Sequence, residues 1–190
     1  MTNQKVDEPH VHSRVSETDT EDCTEQGKKS LHIAPMLDVP TLEFRQLTRI
    51  LSKRCVLWTE MVVDETIAYS DVLDVHLGFG EETQPMVCQI GGNSPELCGQ
   101  GTKIIEEYGY DEVNLNVACP SNRVSGVREF GAVLMKKVDT TVSVLESMKE
   151  NARGPISIKC RVGIDDFSFM KFFDGVVLKS HNLQIDAFWL

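Results

Sequence analysis

Short apolar runs alternate with amphipathic stretches along most of the chain, and they set the predicted order of its elements. Runs of five to seven residues predict β-strands at 31–36, 56–61, 86–90, 113–117 and 156–162. Most positions within these runs are apolar rather than alternating with polar ones. That composition is typical of parallel strands whose two faces are both covered.

The stretches between the runs have the spacing of helices. Residues 41–53 place apolar side chains at near-helical intervals and polar side chains on the other face. At 94–108 a second helix is predicted, with Ser94 as its N-cap and Gly109 as its stop. Residues 140–151 form a further predicted helix. Strands that alternate with helices in this way indicate an α/β fold with a parallel sheet.

Two parallel architectures compete for this pattern. A Rossmann sheet would carry GxGxxG after an early strand, and Gly78-Phe79-Gly80 follows no predicted strand. A TIM barrel places its chemistry at the C-terminal ends of several strands. Here those ends carry polar or reactive residues: Pro35 with Met36, Glu60 with Met61, Gln89, Asn116 with Cys119, and Lys159 with Arg161. We therefore predict a TIM (β/α)8 type of barrel in which only about five β/α units are present.

The composition divides the chain into three regions. Residues 1–30 are polar and charge-rich, so we predict a disordered acidic tail there. Residues 31–166 hold the partial barrel, and residues 167–190 form a divergent C-terminal tail. His10 and His12 could bind a metal, but a mobile tail is a poor site, and we predict none. The six cysteines contain no CxxC pair, which favours reduced thiols over a zinc site.

Length and charge narrow the class of protein. The chain has 190 residues, of which 41% are hydrophobic and 25% charged, as in an ordinary globular domain. No apolar run approaches the roughly 18 to 20 residues of a membrane span, and the N-terminus has no secretory signal. We predict no membrane contact and a cytoplasmic location, with an organellar one left open. The net charge of −10 is unfavourable for contacts with nucleic-acid phosphates.

The stretch 111–135 is the strongest candidate for chemistry. Its strand delivers Asn116 and Cys119 to the C-terminal end, where Pro120 stops it. Taken singly, Cys119 is more often a buried small residue, Gln89 could satisfy backbone groups, and Lys159 could mark a strand edge. On the rim of one barrel the same residues become a coherent ligand site.

Six segments at these positions resemble one family, the tRNA-dihydrouridine synthases. They are APM at 34–36, TEM at 59–61, QIGG at 89–92, NLNVACPSNRV at 114–124, FGAVLM at 130–135 and IKCRVGID at 158–165. They occur in the family's order and spacing, and the bacterial A-type branch is the most similar. The resemblance implies an FMN-binding TIM barrel that uses NADPH to reduce uridines in the D-loop of tRNA to 5,6-dihydrouridine.

The resemblance also implies a role for each matching residue. Residues that would contact the flavin are Ala34, Pro35, Met36, Gln89 and Lys159. Cys119 would be the catalytic acid, and Asn116 would contact the target nucleotide. In the following loop, Arg123 and Arg128 would contact tRNA phosphates, or they would be solvated loop charges.

Elementary chemistry agrees with these roles. Hydride arriving at C6 of a uracil ring moves electron density to C5, which must then gain a proton. A thiol is mostly protonated at neutral pH, so Cys119 can donate that proton. A cationic Lys159 near the flavin would stabilise negative charge on the reduced ring. The target base must leave its stack to reach a pocket at the barrel mouth.

The resemblance ends near Asp166. A complete member would continue with a sixth strand carrying a His, two Gly-rich strand ends for the flavin phosphate, and a helical tRNA-binding domain. His181 lies in no matching motif. We therefore expect a truncated synthase, and the alternatives are a non-catalytic fragment that acts as a binding module or another flavin barrel. A dihydroorotate-dehydrogenase-like barrel would leave CPSNRV followed by FGAVLM unexplained.

Overall fold

A parallel β-sheet flanked by helices forms the centre of the computed structural model, which describes residues 30–80, 84–179 and 183–190. Its helices are α1 (Leu42–Leu51), α2 (Asp64–Tyr69), α3 (Leu73–Leu77), α4 (Pro95–Glu107), α5 (Val138–Asn151) and α6 (Phe169–Lys179). Its strands are β1 (Leu57–Val63), β2 (Met86–Gly91), β3 (Glu112–Asn116), β4 (Ile156–Lys159), β5 (Gly163–Ile164), β6 (Phe167–Ser168) and β7 (Ala187–Trp189). A π-helix at Asn122–Val127 and a 3-10 helix at Gly131–Met135 follow β3.

The main sheet has the strand order β1-β2-β3-β4-β7, and every neighbouring pair is parallel. β5 and β6 form a separate antiparallel pair. Helices occupy each crossover between consecutive strands of the main sheet, as parallel strands require. The parallel α/β fold predicted from the apolar runs is therefore confirmed.

The hydrophobic core lies between the sheet and helices α4 and α5. Every residue of β2 is buried, and Leu115 of β3 and Leu145 of α5 have no exposed surface. Burial of a side chain of this size stabilises the fold by about 1.5–3 kcal/mol. Gly99 lets α4 approach α5 closely, since a Cβ there would lie 2.3 Å from Oγ of Ser147.

The ends of α4 follow the sequence prediction. Oγ of Ser94 accepts a hydrogen bond from the backbone N–H of Leu97 at 3.3 Å. Pro95 occupies the first turn, where no backbone N–H is required. Gly109 follows the helix with a φ of +92°, a backbone conformation that glycine adopts without strain. The N-cap and stop predicted for this helix are confirmed.

The first predicted strand, 31–36, is much shorter than expected. Only His32 pairs with the sheet, through an isolated parallel bridge to Val56. The backbone N–H of Ile33 donates to Val56 at 2.9 Å, and that of Val56 donates to Leu31 at 2.8 Å. Pro35 has no N–H to extend this ladder, so the predicted full strand is wrong.

The C-terminal segment supplies a strand that the sequence did not predict. β7 lies in the region expected to be a divergent tail, yet it pairs in parallel with β4. The backbone N–H of Asp186 donates to Ile156, and that of Cys160 donates to Trp189, both at 2.9 Å. The strand carries no His.

Side chains from the two outer strands of the sheet meet in its interior. The rings of Trp58 on β1 and Trp189 on β7 are 6.0 Å apart, and the His32 ring lies 4.4 Å from Trp189. Nε1 of Trp58 donates to Nδ1 of His32 at 3.1 Å. Burial lowers the pKa of His32, against the raising effect of Glu112. The sheet therefore curls around an enclosed interior, as a barrel does.

Replacement of Asp186 by alanine is expected to weaken the attachment of β7. The carboxylate of Asp186 accepts hydrogen bonds from the Ile156 N–H and from Nζ of Lys149, each at 2.9 Å. Burial acts to raise the pKa of Asp186, but these two contacts outweigh it and the pKa is lowered. Because the side chain is 41% exposed, we expect a loss of about 0.5–1 kcal/mol at pH 7.

The loss at Asp186 should depend on pH in a definite direction. A carboxyl with a lowered pKa stabilises the fold above its unfolded pKa of about 3.9, and the contribution disappears as the pH falls through the folded value. Urea unfolding at pH 7 and at acidic pH measures this. The difference in free energy of unfolding between the wild type and Asp186→Ala should narrow at acidic pH. Asp174→Ala, at an exposed position, is the matched control. An equal gap at both pH values would contradict the expectation.

Candidate active site

A cavity of about 370 Å³ opens at the C-terminal edge of the main sheet. Polar side chains reach it from the ends of three neighbouring strands: Gln89 on β2, Asn116 on β3 and Lys159 on β4. Strand register brings them together, because Asn116 pairs with Lys159 and Gln89 pairs with Asn114. The remaining lining residues are Pro35, Met36, Leu37, Met61, Ala118, Cys119, Ser121 and Val124. The cavity therefore combines apolar walls with convergent polar groups, as small-molecule sites do.

The predicted site residues are largely brought together here. Of the eight, six line this cavity: Pro35, Met36, Gln89, Asn116, Cys119 and Lys159. Ala34 is exposed and is not among the lining residues. Arg123 lies in the π-helix, but its side chain is outside the part of the structure that is described.

Asn116 holds the loop that carries the thiol. Its Oδ1 accepts hydrogen bonds from the backbone N–H groups of Ala118 at 3.0 Å and Cys119 at 2.9 Å. From the other side, the carbonyl oxygen of Cys119 accepts from the N–H of Ala132 at 2.9 Å. Gly131 makes this approach possible, with a φ of +70°. The Cys119 backbone is thus fixed by two segments, while its side chain stays partly exposed.

The other cysteines in the described residues differ from Cys119 in burial. Cys55, Cys88, Cys98 and Cys160 are at most 2% exposed, and all are free thiols. Burial raises the pKa of Cys88 to about 12 and that of Cys160 to about 11, and it also raises the pKa of Cys98. Cys119 is therefore the described thiol that a ligand in the cavity can reach.

Amide side chains connect the floor of the cavity to the interior of the sheet. Nε2 of Gln89 donates to Oδ1 of Asn114 at 2.8 Å, and Nδ2 of Asn116 donates to Oε1 of Gln89 at 2.7 Å. The sequence prediction missed Asn114. Its signal is spacing, because Asn114 and Asn116 are two residues apart on one strand and so share a face.

Two arginines flank the loop in different ways. Nη1 of Arg161 donates to the carbonyl oxygen of Ala118 at 3.2 Å, a support that the sequence prediction missed. Arg128 forms an ion pair with Glu65 at 3.1 Å. The Arg128 side chain is 49% exposed and that of Glu65 is 61% exposed, so this ion pair adds little stability.

A second cavity, of about 570 Å³, lies beside α1 and α3. It shares only Met61 with the first cavity, and Glu43, Glu60, Asp74 and the buried Arg45 line it. None of the predicted site residues lies in it.

The described residues hold neither a candidate metal cluster nor a membrane-spanning helix. Within residues 30–80, 84–179 and 183–190, no group of three or more His, Cys, Asp or Glu side chains could hold a metal ion. Among the helices of those same residues, none combines the length and apolar character of a membrane span.

The main sheet is parallel and curls around its interior, and a thiol, amides and a lysine lie at its C-terminal edge. This is the arrangement of a TIM-barrel type of fold, which binds its ligands at that edge. The family model described as Dihydrouridine synthase (Dus) matches residues 32–174. The chain therefore belongs to the dihydrouridine synthase family, and its fold is part of that family's TIM barrel.

Individual relatives agree with the family model. A tRNA-dihydrouridine(20/20a) synthase of Vibrio parahaemolyticus is 39% identical over 150 residues, which are 77% of this chain and 45% of the relative. That of Escherichia coli O6:H1 is 39% identical over 140 residues, 74% of this chain and 41% of the relative. The match thus spans less than half the length of these relatives. The predicted resemblance to the A-type branch is confirmed.

Proposed function

We propose that this chain acts in an FMN-dependent tRNA-dihydrouridine synthase, which reduces D-loop uridines of tRNA to 5,6-dihydrouridine with NADPH as the reductant. The observation that carries the proposal is the cavity in which the accessible Cys119 thiol lies beside Asn116, Gln89 and Lys159. Family membership supports this reading over the dihydroorotate-dehydrogenase-like alternative.

The cavity fits the ring system of FMN in its chemistry. A flavin ring has apolar faces and a polar edge that accepts and donates hydrogen bonds. Pro35, Met36 and Met61 supply apolar walls, and Gln89 and Lys159 supply the polar edge contacts. One amide hydrogen and one lone pair of Gln89 remain for a ligand after its contacts with the two asparagines. In this proposal these residues would hold the ring, and the flavin, once reduced by NADPH, would supply the hydride that C6 of the uracil gains.

Cys119 performs the complementary proton transfer. When C6 gains a hydride, the electron pair of the C5–C6 double bond moves to C5. The Cys119 S–H gives its proton to C5, and the resulting thiolate regains a proton from solvent. General acid catalysis of this kind contributes about 10²–10⁴-fold. Asn116 holds the thiol loop in place and, in this proposal, also contacts the target nucleotide.

Absorbance and product analysis together test the function. The purified full chain should take up FMN, seen as flavin absorbance that co-elutes with the protein, and should form dihydrouridine on unmodified tRNA when NADPH is present. Failure of the flavin-loaded chain to form dihydrouridine would contradict the proposal and favour a binding module without catalysis. A chain that takes up no FMN would contradict the flavin assignment of Gln89 and Lys159.

Replacement of Arg123 by alanine is expected to weaken tRNA binding. In the proposal its guanidinium contacts a tRNA phosphate, and loss of one such contact should reduce the slope of log affinity against log salt by about one. Filter binding across a salt series measures that slope. The control is Arg153→Ala, which removes a side chain that is 83% exposed at the opposite edge of the sheet. Equal slopes for both variants would remove Arg123 from this role.

A further inference from the structure

A half-buried acceptor, Glu112, lies at the N-terminal end of β3, on the interior side of the sheet. The carboxylate of Glu112 accepts hydrogen bonds from Oγ of Ser157 and, at 3.4 Å, from Nε1 of Trp189. Oγ of Ser157 in turn accepts from Nδ2 of Asn114 at 2.7 Å. A carboxylate can only accept, so the single hydroxyl hydrogen of Ser157 goes to Glu112. The Ser157 oxygen can therefore only accept from Asn114.

The direction of that bond fixes every bond above it. Asn114 turns Nδ2 toward Ser157, so it presents Oδ1 to Nε2 of Gln89 at 2.8 Å. Gln89 then presents Oε1 to Nδ2 of Asn116 at 2.7 Å. Asn116 in turn presents Oδ1 to the N–H of Cys119 at 2.9 Å. Each amide has one donating and one accepting end, so reversing any of them would place donor against donor.

We propose that Glu112, Ser157 and Asn114 are positioning residues that fix the orientation of the Gln89 and Asn116 amides, and through them the Cys119 loop. None of the three lines the cavity. Their side chains share the interior face of β3 and β4 with the residues that do, because they lie two positions apart along each strand. The consequence for catalysis rests on the proposed function, while the effect on the loop does not.

Burial makes this orientation strict. Asn114 and Ser157 have no exposed surface, and Gln89 and Asn116 are 1% and 7% exposed. Water therefore offers little replacement for a lost partner, and buried polar chains are costly when one member is unsatisfied. Removal of the Ser157 hydroxyl leaves Nδ2 of Asn114 without its acceptor. The Asn114 amide can then regain an acceptor only by moving or turning, and that places donor against donor at Gln89 and weakens the bonds that lead to the Cys119 loop.

Alkylation of Cys119 tests the proposal without flavin or tRNA. A Cys23→Ser background leaves Cys119 as the reactive thiol among the cysteines that the structure describes, since the others are buried. Ser157→Ala should speed iodoacetamide labelling of the folded chain about fivefold, the factor that corresponds to one lost hydrogen bond. Ser157→Thr keeps the hydroxyl and should restore the wild-type rate. Asn116→Ala removes the Oδ1 atom that accepts from the Cys119 N–H, so it should also speed labelling.

A matched control separates positioning from general loss of stability. Thr102→Ala removes another fully buried hydroxyl, one that donates to the carbonyl oxygen of Cys98 on α4, and should leave the labelling rate unchanged. Equal labelling of Ser157→Ala and Ser157→Thr would overturn the proposal, as would equal acceleration by Thr102→Ala. In the wild-type chain, the side-chain NH2 groups of Asn114 and Gln89 should exchange slowly by NMR, and rapid exchange would also overturn it.

The two proposals can fail separately. If labelling responds to Ser157 as expected but the protein forms no dihydrouridine, the positioning role of Ser157 stands and the proposed function fails. If dihydrouridine forms and Cys119 in Ser157→Ala is labelled at the wild-type rate, the function stands and the positioning role of Ser157 fails.

Discussion

Replacement of Cys119 by alanine is expected to lower the rate of dihydrouridine formation by about 10²–10⁴-fold. The thiol is the accessible proton donor that lines the cavity, and alanine cannot protonate C5 of the uracil. FMN uptake and flavin reduction by NADPH should persist, because neither needs this proton. Single-turnover assays with unmodified tRNA measure the first quantity, and flavin absorbance measures the others.

Cys119→Ser is the matched control for shape. A hydroxyl nearly preserves the volume of the side chain but is a far weaker acid than a thiol, so the serine variant should also be slow. If Cys119→Ala forms dihydrouridine at the wild-type rate, Cys119 is not the acid. If the alanine variant loses FMN as well as activity, its defect lies in the structure of the loop rather than in proton transfer.

Replacement of Gly131 by alanine is expected to lower the free energy of unfolding by about 1–3 kcal/mol. Two costs combine at this position. The φ of +70° disfavours any side chain, and the added Cβ would lie 2.6 Å from the carbonyl oxygen of Cys119 and 2.8 Å from Val124. Since the Cys119 loop must move to make room, dihydrouridine formation should fall as well.

Two glycine variants separate these costs. Gly109 has a φ of +92° and its added Cβ meets nothing nearer than 3.8 Å, so Gly109→Ala carries the backbone strain alone. Gly154→Ala carries neither, because its nearest contact is at 3.4 Å. Urea unfolding should rank the losses Gly131, Gly109, Gly154, with activity lost only at Gly131. A Gly131 variant no more destabilised than Gly109→Ala would contradict the tight contact with Cys119.

The parallel fold and most of the site were predictable from local sequence. Ser94 and Gly109 marked the ends of α4 because capping and left-handed backbone are local properties. Gln89, Asn116 and Lys159 could be grouped without coordinates, because the C-terminal ends of parallel strands meet at one edge of a sheet.

What the sequence missed depends on contacts between distant segments. β7 is three residues long, and its pairing with β4 is decided by the partner strand rather than by its own pattern. Asn114 and Ser157 are polar positions within mostly apolar strands. The hydrogen bond between them depends on strand register, which places both on the same interior face. Ala34 was assigned to the site through the APM motif as a backbone contact of the flavin; it does not line the cavity, and that backbone contact stays a prediction.

The most direct test of the proposed reaction follows the two substrates, NADPH and tRNA, in one experiment. The FMN-loaded chain is reduced with NADPH under anaerobic conditions and then mixed with unmodified tRNA. We expect the absorbance of oxidised flavin to return as dihydrouridine forms, and we expect no return with tRNA that already carries dihydrouridine at every target uridine. Flavin that stays reduced with unmodified tRNA would contradict the claim that this cavity reduces tRNA uridines.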